Sequence, residues 1–417
     1  MSGLLDGIKV VSLTHYLQGP ACVQFLADLG ADVVKVERAG GAYKRHWSGA
    51  ESYVGDESVF FLSCGRNQRS VEIDIRTEDG SEVLWRLIED ADVLVENFRP
   101  GMLAKRGFSY ENAKSRNPGI IYCSLTGFGP EGPSAAKPGQ DLLIQSLSGL
   151  ATLSGPAGSP PTPVDSAVVD QHGATLGALG IVAALFGRTR TGEGTKIDSN
   201  LLSAALDLQI EPFNYHLNNT ALYPKSESGI STRFHQAPYG VFATGDGWLT
   251  LSLSDGETLA KAFDDPQFAE WSKDDQYKKR EQVSKLVADH MLEKTTQAWE
   301  RIFEEHGVWS APVRQYEAVE QDPQLAANQS ILEFDLPRAG HVRVLAHPLK
   351  YNGAVPPLRS LPPNSGEHTD EVLLELGYDA DEINRLRTTG SVGPDRALNP
   401  FSRAVSAPAA SYSRKAE

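Results

Sequence analysis

Residues 5–38 read LDGIKVVSLTHYLQGPACVQFLADLGADVVKVER, and the fold is decided there. Residues 8–13 form a β-branched apolar run, the pattern of a buried strand. Residues 20–29 follow with helical spacing and a proline near the start, where a helix needs no proline N–H. Residues 31–37 repeat the strand pattern. A strand–helix–strand unit of this length is a right-handed crossover between parallel strands. The alternation continues: a strand over 71–75, a helix over 81–90, and strands over 93–97 and 120–125. The expectation is an α/β domain whose parallel sheet is covered on both faces.

Beyond the sheet signal, loops rich in Gly, Pro and Ser occupy 127–139 and 154–163, with a short helix expected between them. Residues 173–186 are apolar and small nearly all round. Gly173, Gly177 and Gly180 would let a neighbouring helix approach, and such a helix belongs in a core. The character of the chain changes near residue 225, after which short strands and a charged helical stretch anchored by Trp271, Trp299 and Phe303 follow. The expected layout is a large α/β domain over 1–224, a small domain over 225–330, a return to the large domain over 331–393, and a loose tail over 394–417.

The 417 residues carry a formal net charge of −15, which argues against general affinity for nucleic acid or anionic membranes. No apolar run approaches the roughly 20 residues that span a bilayer, and no secretory signal pattern opens the chain. The cysteines Cys22, Cys64 and Cys123 lie far apart, so neither a disulfide framework nor a zinc site follows, and a cytoplasmic location is expected. Basic residues nevertheless concentrate in the first third: Lys35, Arg38, Lys44, Arg45, Arg66, Arg69, Arg76, Arg99, Lys105 and Arg106. On an acidic chain that cluster suits either a phosphate-bearing ligand or a solvated surface.

Common catalytic signatures fail. HExxH and GxSxG are absent, and the glycine-bearing stretch 187–196 lacks the Lys-Ser/Thr ending of a phosphate loop. Gly127, Gly129 and Gly132 satisfy GxGxxG after a strand, but Pro130, Pro133 and Pro138 follow where a dinucleotide site needs a helix, so the match reads as a turn. Asp170 remains. It precedes the apolar helix, which makes it a natural N-cap. It also suits a carboxylate nucleophile held ionised by the macrodipole. The two roles are compatible.

At these residues the chain resembles the class III CoA-transferases, the formyl-CoA transferase or carnitine-dehydratase-like family of the CaiB/BaiF superfamily. The likeness runs from about residue 5 to 390 through several motifs in order. The opening unit is followed by RSVEIDI from Arg69, ADVLVENFRPG from Ala91 and GFGPEGP from Gly127. Then come Asp170 and Gly173 with ALFGRTRTGEGTKIDSNL from Ala184, and finally GEHTDEVLLELGY from Gly366. The resemblance implies a Rossmann-like large domain with a smaller α+β domain, in an open-ring protomer that interlocks with a second copy as a homodimer. It implies no metal and no permanently bound cofactor, with coenzyme A entering as part of donor and product. Its partners would be an acyl-CoA and a carboxylic acid.

Carried over residue by residue, the nucleophile falls on Asp170. The CoA phosphates and adenine would be met by Arg38, Ile73, Arg76, Asn97, Phe98, Arg99 and Lys105. Leu17, Gln18, Lys137 and Gln140 would line the thioester end. Two stretches depart from the family pattern: GGAYKRHW at 40–47, and FHQAPYGVFATGDG from Phe234 in place of a glycine-rich loop. Both point away from oxalate and formyl-CoA as substrates. The resemblance leaves two rival readings, an acyl-CoA racemase of the same superfamily and a non-catalytic CoA-binding protein. Racemases place His in a Gly-His-Asp step, where this chain has Gly139-Gln140-Asp141; Gln cannot remove an α-proton.

Overall fold

The computed structural model describes residues 3–218, 224–227 and 232–393, so the tail expected over 394–417 lies outside the described residues. The chain divides into two compact units, one of residues 1–144, 167–204 and 329–417, the other of 145–166 and 205–328.

The first unit is built on six parallel strands: β1 (Lys9–Leu13), β2 (Asp32–Glu37), β3 (Gln68–Glu72), β4 (Val93–Glu96), β5 (Ile121–Thr126) and β6 (Thr195–Asn200). They lie side by side in the order β3-β2-β1-β4-β5-β6. The strand order therefore reverses between β1 and β4. In open parallel sheets the crevice beyond the strand ends at such a reversal is where ligands bind.

The near-continuous apolar strands have a simple cause, since both sheet faces are covered. Val11 and Leu13 point into one core with Leu84 and Ile88 of helix α2 (Glu78–Asp90). Val10 points to the opposite core with Val23 and Leu26 of α1 (Gln18–Asp28) and with Ala174 and Ile181 of a long later helix. Thr77 starts α2 by accepting the Gly80 N–H at 3.0 Å. The C-terminal segment joins the first core through Val372, Leu373, Ile383 and Leu386.

The long helix is not as the sequence suggested. It spans Val168–Thr191 rather than beginning near residue 173, because it also takes in a first turn bearing Asp170 and a polar last turn. Only one face is buried. A Cβ on Gly173 would meet the Gln18 amide, and one on Gly177 would meet Leu125 and Cys22, so the glycines do bring this helix against α1 and β5. Leu179 and Phe186 on other faces are 64% and 65% exposed, so the helix is not enclosed in the core of a single chain. At 24 residues it is, by length and composition, long and apolar enough to cross a membrane, contrary to the reading that no run approaches that length.

The second unit carries a three-stranded antiparallel sheet of β7 (Gly240–Ala243), β8 (Trp248–Ser252) and β9 (Trp309–Pro312), in the order β9-β8-β7. Its core gathers Phe242, Leu249, Phe263, Met291, Trp299 and Phe303. Of the three aromatic anchors expected there, Trp299 and Phe303 are buried and Trp271 is half-buried.

Candidate active site

At the strand reversal, β1 runs into the loop Thr14–Leu17 and then α1, while β4 runs into Asn97. Asn97 ties the two strand ends together. Its Nδ2 donates to the His15 carbonyl at 2.7 Å, and its Oδ1 accepts the His15 N–H at 2.8 Å. Both ends of that amide are thereby engaged in the scaffold. The His15 ring packs on Phe98 at 5.0 Å; burial and the neighbouring Lys35 push it down to about 4.

Gln18, the first residue of α1, is 4% exposed. Its Nε2 is buried with no hydrogen-bond partner among the described residues. A buried donor left unpaired costs about 1–3 kcal/mol, so the fold sustains a cost here. The amide lies against Gly173, where a Cβ would come within 2.6 Å of Nε2. Gly173 is three residues on from Asp170, on the same side of the long helix. Leu17 precedes it, half-buried against the core.

Asp170 itself is the third residue of that helix and not its N-cap, which is Ala167. The cap is supplied from elsewhere. Oδ2 of Asp141 accepts the N–H groups of Val169 (2.7 Å) and Asp170 (2.9 Å). Asp141 is 7% exposed and begins the helix α3 (Asp141–Leu147). The charge that satisfies the helix start therefore sits beside Asp170 and repels it. Burial, with the Asp141 charge second, pushes the Asp170 carboxyl up to about 7. The macrodipole expected to hold it ionised is thus opposed by burial and by the Asp141 charge. Sequence reading missed Asp141 in this role; the only signal was an acid opening a helix before the loop that leads to Asp170.

Lys137 and Gln140 are exposed on the segment entering α3. That segment is fixed by a close backbone crossing: a Cβ on Gly127 would fall 2.5 Å from the Gly139 Cα. The formal GxGxxG match is indeed loop, with no helix before Asp141.

The basic cluster separates into two groups. Lys35 donates to the Thr14 carbonyl at 2.8 Å. Arg45 pairs with Glu37 at 2.6 Å, Arg66 with Asp28 at 2.5 Å and Arg69 with Asp32 at 2.5 Å. Lys44 is buried with its ammonium 5.5 Å from the Phe61 ring, and burial, aided by Lys35, pushes it down to about 7. These groups hold the fold together. Arg76 pairs with Asp74 at 2.7 Å at the surface, and Ile73 is buried with its backbone bridged to Val392. Arg38, Arg99, Lys105 and Arg106 are exposed. Arg38 follows β2 and its Nε donates to the Gly41 carbonyl at 3.3 Å; Arg99 follows β4, and Lys105 lies in the short 3-10 turn Ala104–Arg106. Among the described residues no His, Cys, Asp and Glu grouping suited to a metal is present.

The family described as CoA-transferase family III matches residues 5–369. The human succinyl-CoA:glutarate CoA-transferase is 32% identical over 93% of this chain and 90% of its own. The succinyl-CoA:mesaconate CoA-transferase of Haloarcula hispanica is 33% identical over 90% of this chain and 97% of its own. A crystal structure of a CAIB/BAIF family protein from Brucella suis superposes with a TM-score of 0.77 at 31% identity, covering 90% of this chain and all of that one. With a match across nearly the whole chain, and two relatives of about a third identity that are themselves named CoA-transferases, the protein belongs to CoA-transferase family III and is an enzyme that transfers CoA.

Proposed function

We propose that this enzyme moves CoA from an acyl-CoA to a carboxylic acid through covalent intermediates on Asp170. One observation carries the reading: a half-buried carboxylate raised to about 7 at a helix start, with an unpartnered buried amide beside that helix. A carboxylate of higher pKa is a stronger nucleophile than an ordinary Asp, yet half of it remains ionised near neutrality.

The sequence of bonds is as follows. An Asp170 oxygen attacks the donor thioester carbonyl, the C–S bond breaks, and CoA leaves as thiolate from a mixed anhydride. The thiolate attacks the aspartyl carbonyl, the donor acid departs, and an aspartyl thioester forms. The acceptor carboxylate attacks that carbonyl and expels the thiolate again. The thiolate then takes the acceptor acyl group and frees Asp170. No proton is consumed in the cycle, so Asp170 must begin it ionised. Developing oxyanions need donors, and the Gln18 amide is the candidate within this unit.

Arg38, Arg99 and Lys105 are the exposed cations assigned to the CoA phosphates, with Arg76, Ile73, Asn97 and Phe98 framing them; Leu17, Lys137 and Gln140 border the thioester end. The relatives act with succinyl-CoA and dicarboxylic acids, and a dicarboxylic acid is the acceptor class proposed here. The exposed apolar residues Leu179 and Phe186 are assigned to a homodimer of interlocked open rings, each with a large Rossmann-like domain and a small domain over 225–330. The three cysteines are buried free thiols, in keeping with a cytoplasmic setting.

The test is trapping. Hydroxylamine added with donor acyl-CoA is expected to inactivate the enzyme and leave a hydroxamate at Asp170 by mass spectrometry, and to do neither without donor. Inactivation that ignores the donor, or a label on another residue, would overturn the covalent assignment.

A further inference from the structure

The loop Thr14–Leu17 between β1 and α1 is fastened from both neighbouring strands. On the β2 side the buried Lys35 ammonium donates to the Thr14 carbonyl at 2.8 Å. On the β4 side the Asn97 amide closes on the His15 peptide with both of its ends, at 2.7 and 2.8 Å. A two-point clasp of this kind fixes orientation as well as distance. The clasp has its own support. Glu96, 7% exposed, accepts the Phe98 N–H at 2.8 Å, and the Phe98 ring packs on that of His15.

Between clasp and helix the chain turns through Tyr16 at a φ of 59°. That left-handed backbone is unfavourable for a bulky residue and persists only where the surroundings over-determine it. The turn delivers Gln18 at the start of α1 with its Nε2 buried and unpartnered among the described residues. A Cβ on Gly173 would fall 2.6 Å from that nitrogen. Asn97 also packs on the first turn of α1: a Cβ on Gly19 would lie 3.0 Å from the Asn97 Cγ and 2.7 Å from the Thr14 Cβ. A strained turn and an unpaired donor, adjacent in the chain, are two costs with one result. They hold an amide N–H beside the helix that bears Asp170.

We infer that Asn97 is a positioning residue whose side chain sets the Gln18 amide, rather than a side-chain contact to CoA. Both polar atoms of its amide are committed to one peptide, that of His15. Opening the clasp lets Tyr16 leave the left-handed region and lets Gln18 turn away from Gly173. The inference rests on the proposed role of Gln18 as the donor to the oxyanion. A preorganised donor acts on the transition state more than on the bound ground state, so the loss falls on kcat.

Asn97→Ala, Gln18→Ala and their double variant test this, with succinyl-CoA and glutarate for turnover and coenzyme A for calorimetry. Asn97→Ala is expected to lower kcat about tenfold or more, while KM for succinyl-CoA and Kd for CoA stay within about twofold of wild type. Asn97→Asp keeps the shape and the acceptor for the His15 N–H but loses the donor to its carbonyl. It is expected to give the same split, and it covers the case in which the Ala protein does not fold. In the double variant the second substitution should add less than about a twofold loss, because both act on one group. Unchanged kcat in the Asn97 variants, weaker CoA binding with kcat intact, or losses that multiply in full would each overturn the inference. Unchanged kcat in Gln18→Ala alone would sink the donor role of Gln18 and this inference with it. A failure of the covalent step at Asp170 shows separately, in the hydroxylamine trapping.

Discussion

Glu37 at the end of β2 and Asp170 at the start of the long helix are two acids of the same unit, and their surroundings drive them in opposite directions. Burial pushes the Glu37 carboxyl up, but Arg45, which forms an ion pair with it, and Lys35 outweigh that and hold it at about 2. Among the described residues Asp170 has no such cation. Burial raises it and Asp141, the carboxylate that caps its helix, raises it further, to about 7. A paired acid is part of the scaffold, whereas an acid placed beside another acid keeps its reactivity.

The largest effect expected from breaking this contrast is catalytic. Asp170→Asn should lower CoA transfer by several orders of magnitude, with circular dichroism unchanged. Because Asp141 caps the helix, the loss cannot be ascribed to a missing cap. Near-normal transfer by the Asn protein would remove Asp170 from the chemistry.

Next in size is stability. Arg45→Ala leaves Glu37 buried without its partner, and breaking such a pair costs about 3–5 kcal/mol; urea titration should show it. The pH windows of the two acids are opposite. Glu37, lowered from 4.5, contributes stability above 4.5 that is lost as pH falls toward 2. Asp170, raised from 3.8, contributes stability that is complete below 3.8 and lost as pH rises through 7. The melting-temperature advantage of Asp170→Asn over wild type should therefore grow from pH 4 to pH 8. A constant difference would contradict the raised value.

A finer adjustment tests the cause of the shift. Asp141→Asn keeps an oxygen for the Val169 and Asp170 N–H groups but removes the neighbouring charge. The acidic limb of the rate profile, set near 7 by Asp170, should move to lower pH with the fold intact. An unmoved limb would leave burial as the sole cause.

The smallest effect concerns the exposed cations. Arg38→Ala or Lys105→Ala should weaken CoA binding a few-fold, in line with about 0.2–1 kcal/mol for exposed pairs, and less so at high salt. Arg66→Ala, by contrast, should unsettle the fold, since its partner Asp28 is buried. Calorimetry and thermal melts separate the two classes.

Much of the sheet was legible because its cause is local. Strand and helix periodicity, and the proline in the first turn of α1, are properties of short stretches, and so is the turn at 127–139. Asp170 stood out as well, by its place ahead of glycines and small residues. The start of its helix was misjudged because the cap comes from Asp141, across a loop that carries no helical signal. Nor did the basic cluster sort itself by sequence: Lys35, Arg45, Arg66 and Arg69 resemble Arg38, Arg99 and Lys105 until their partners are known.

By itself, then, the sequence determined the alternation of elements, the parallel sheet and the residue types available for acyl transfer. Only tertiary structure decided which charges are neutralised: Glu37 by Arg45, Asp28 by Arg66, and Asp170 by no cation among the described residues. The physical reason is that electrostatic energy depends on distance and burial. Both are set by chain segments that meet only after folding.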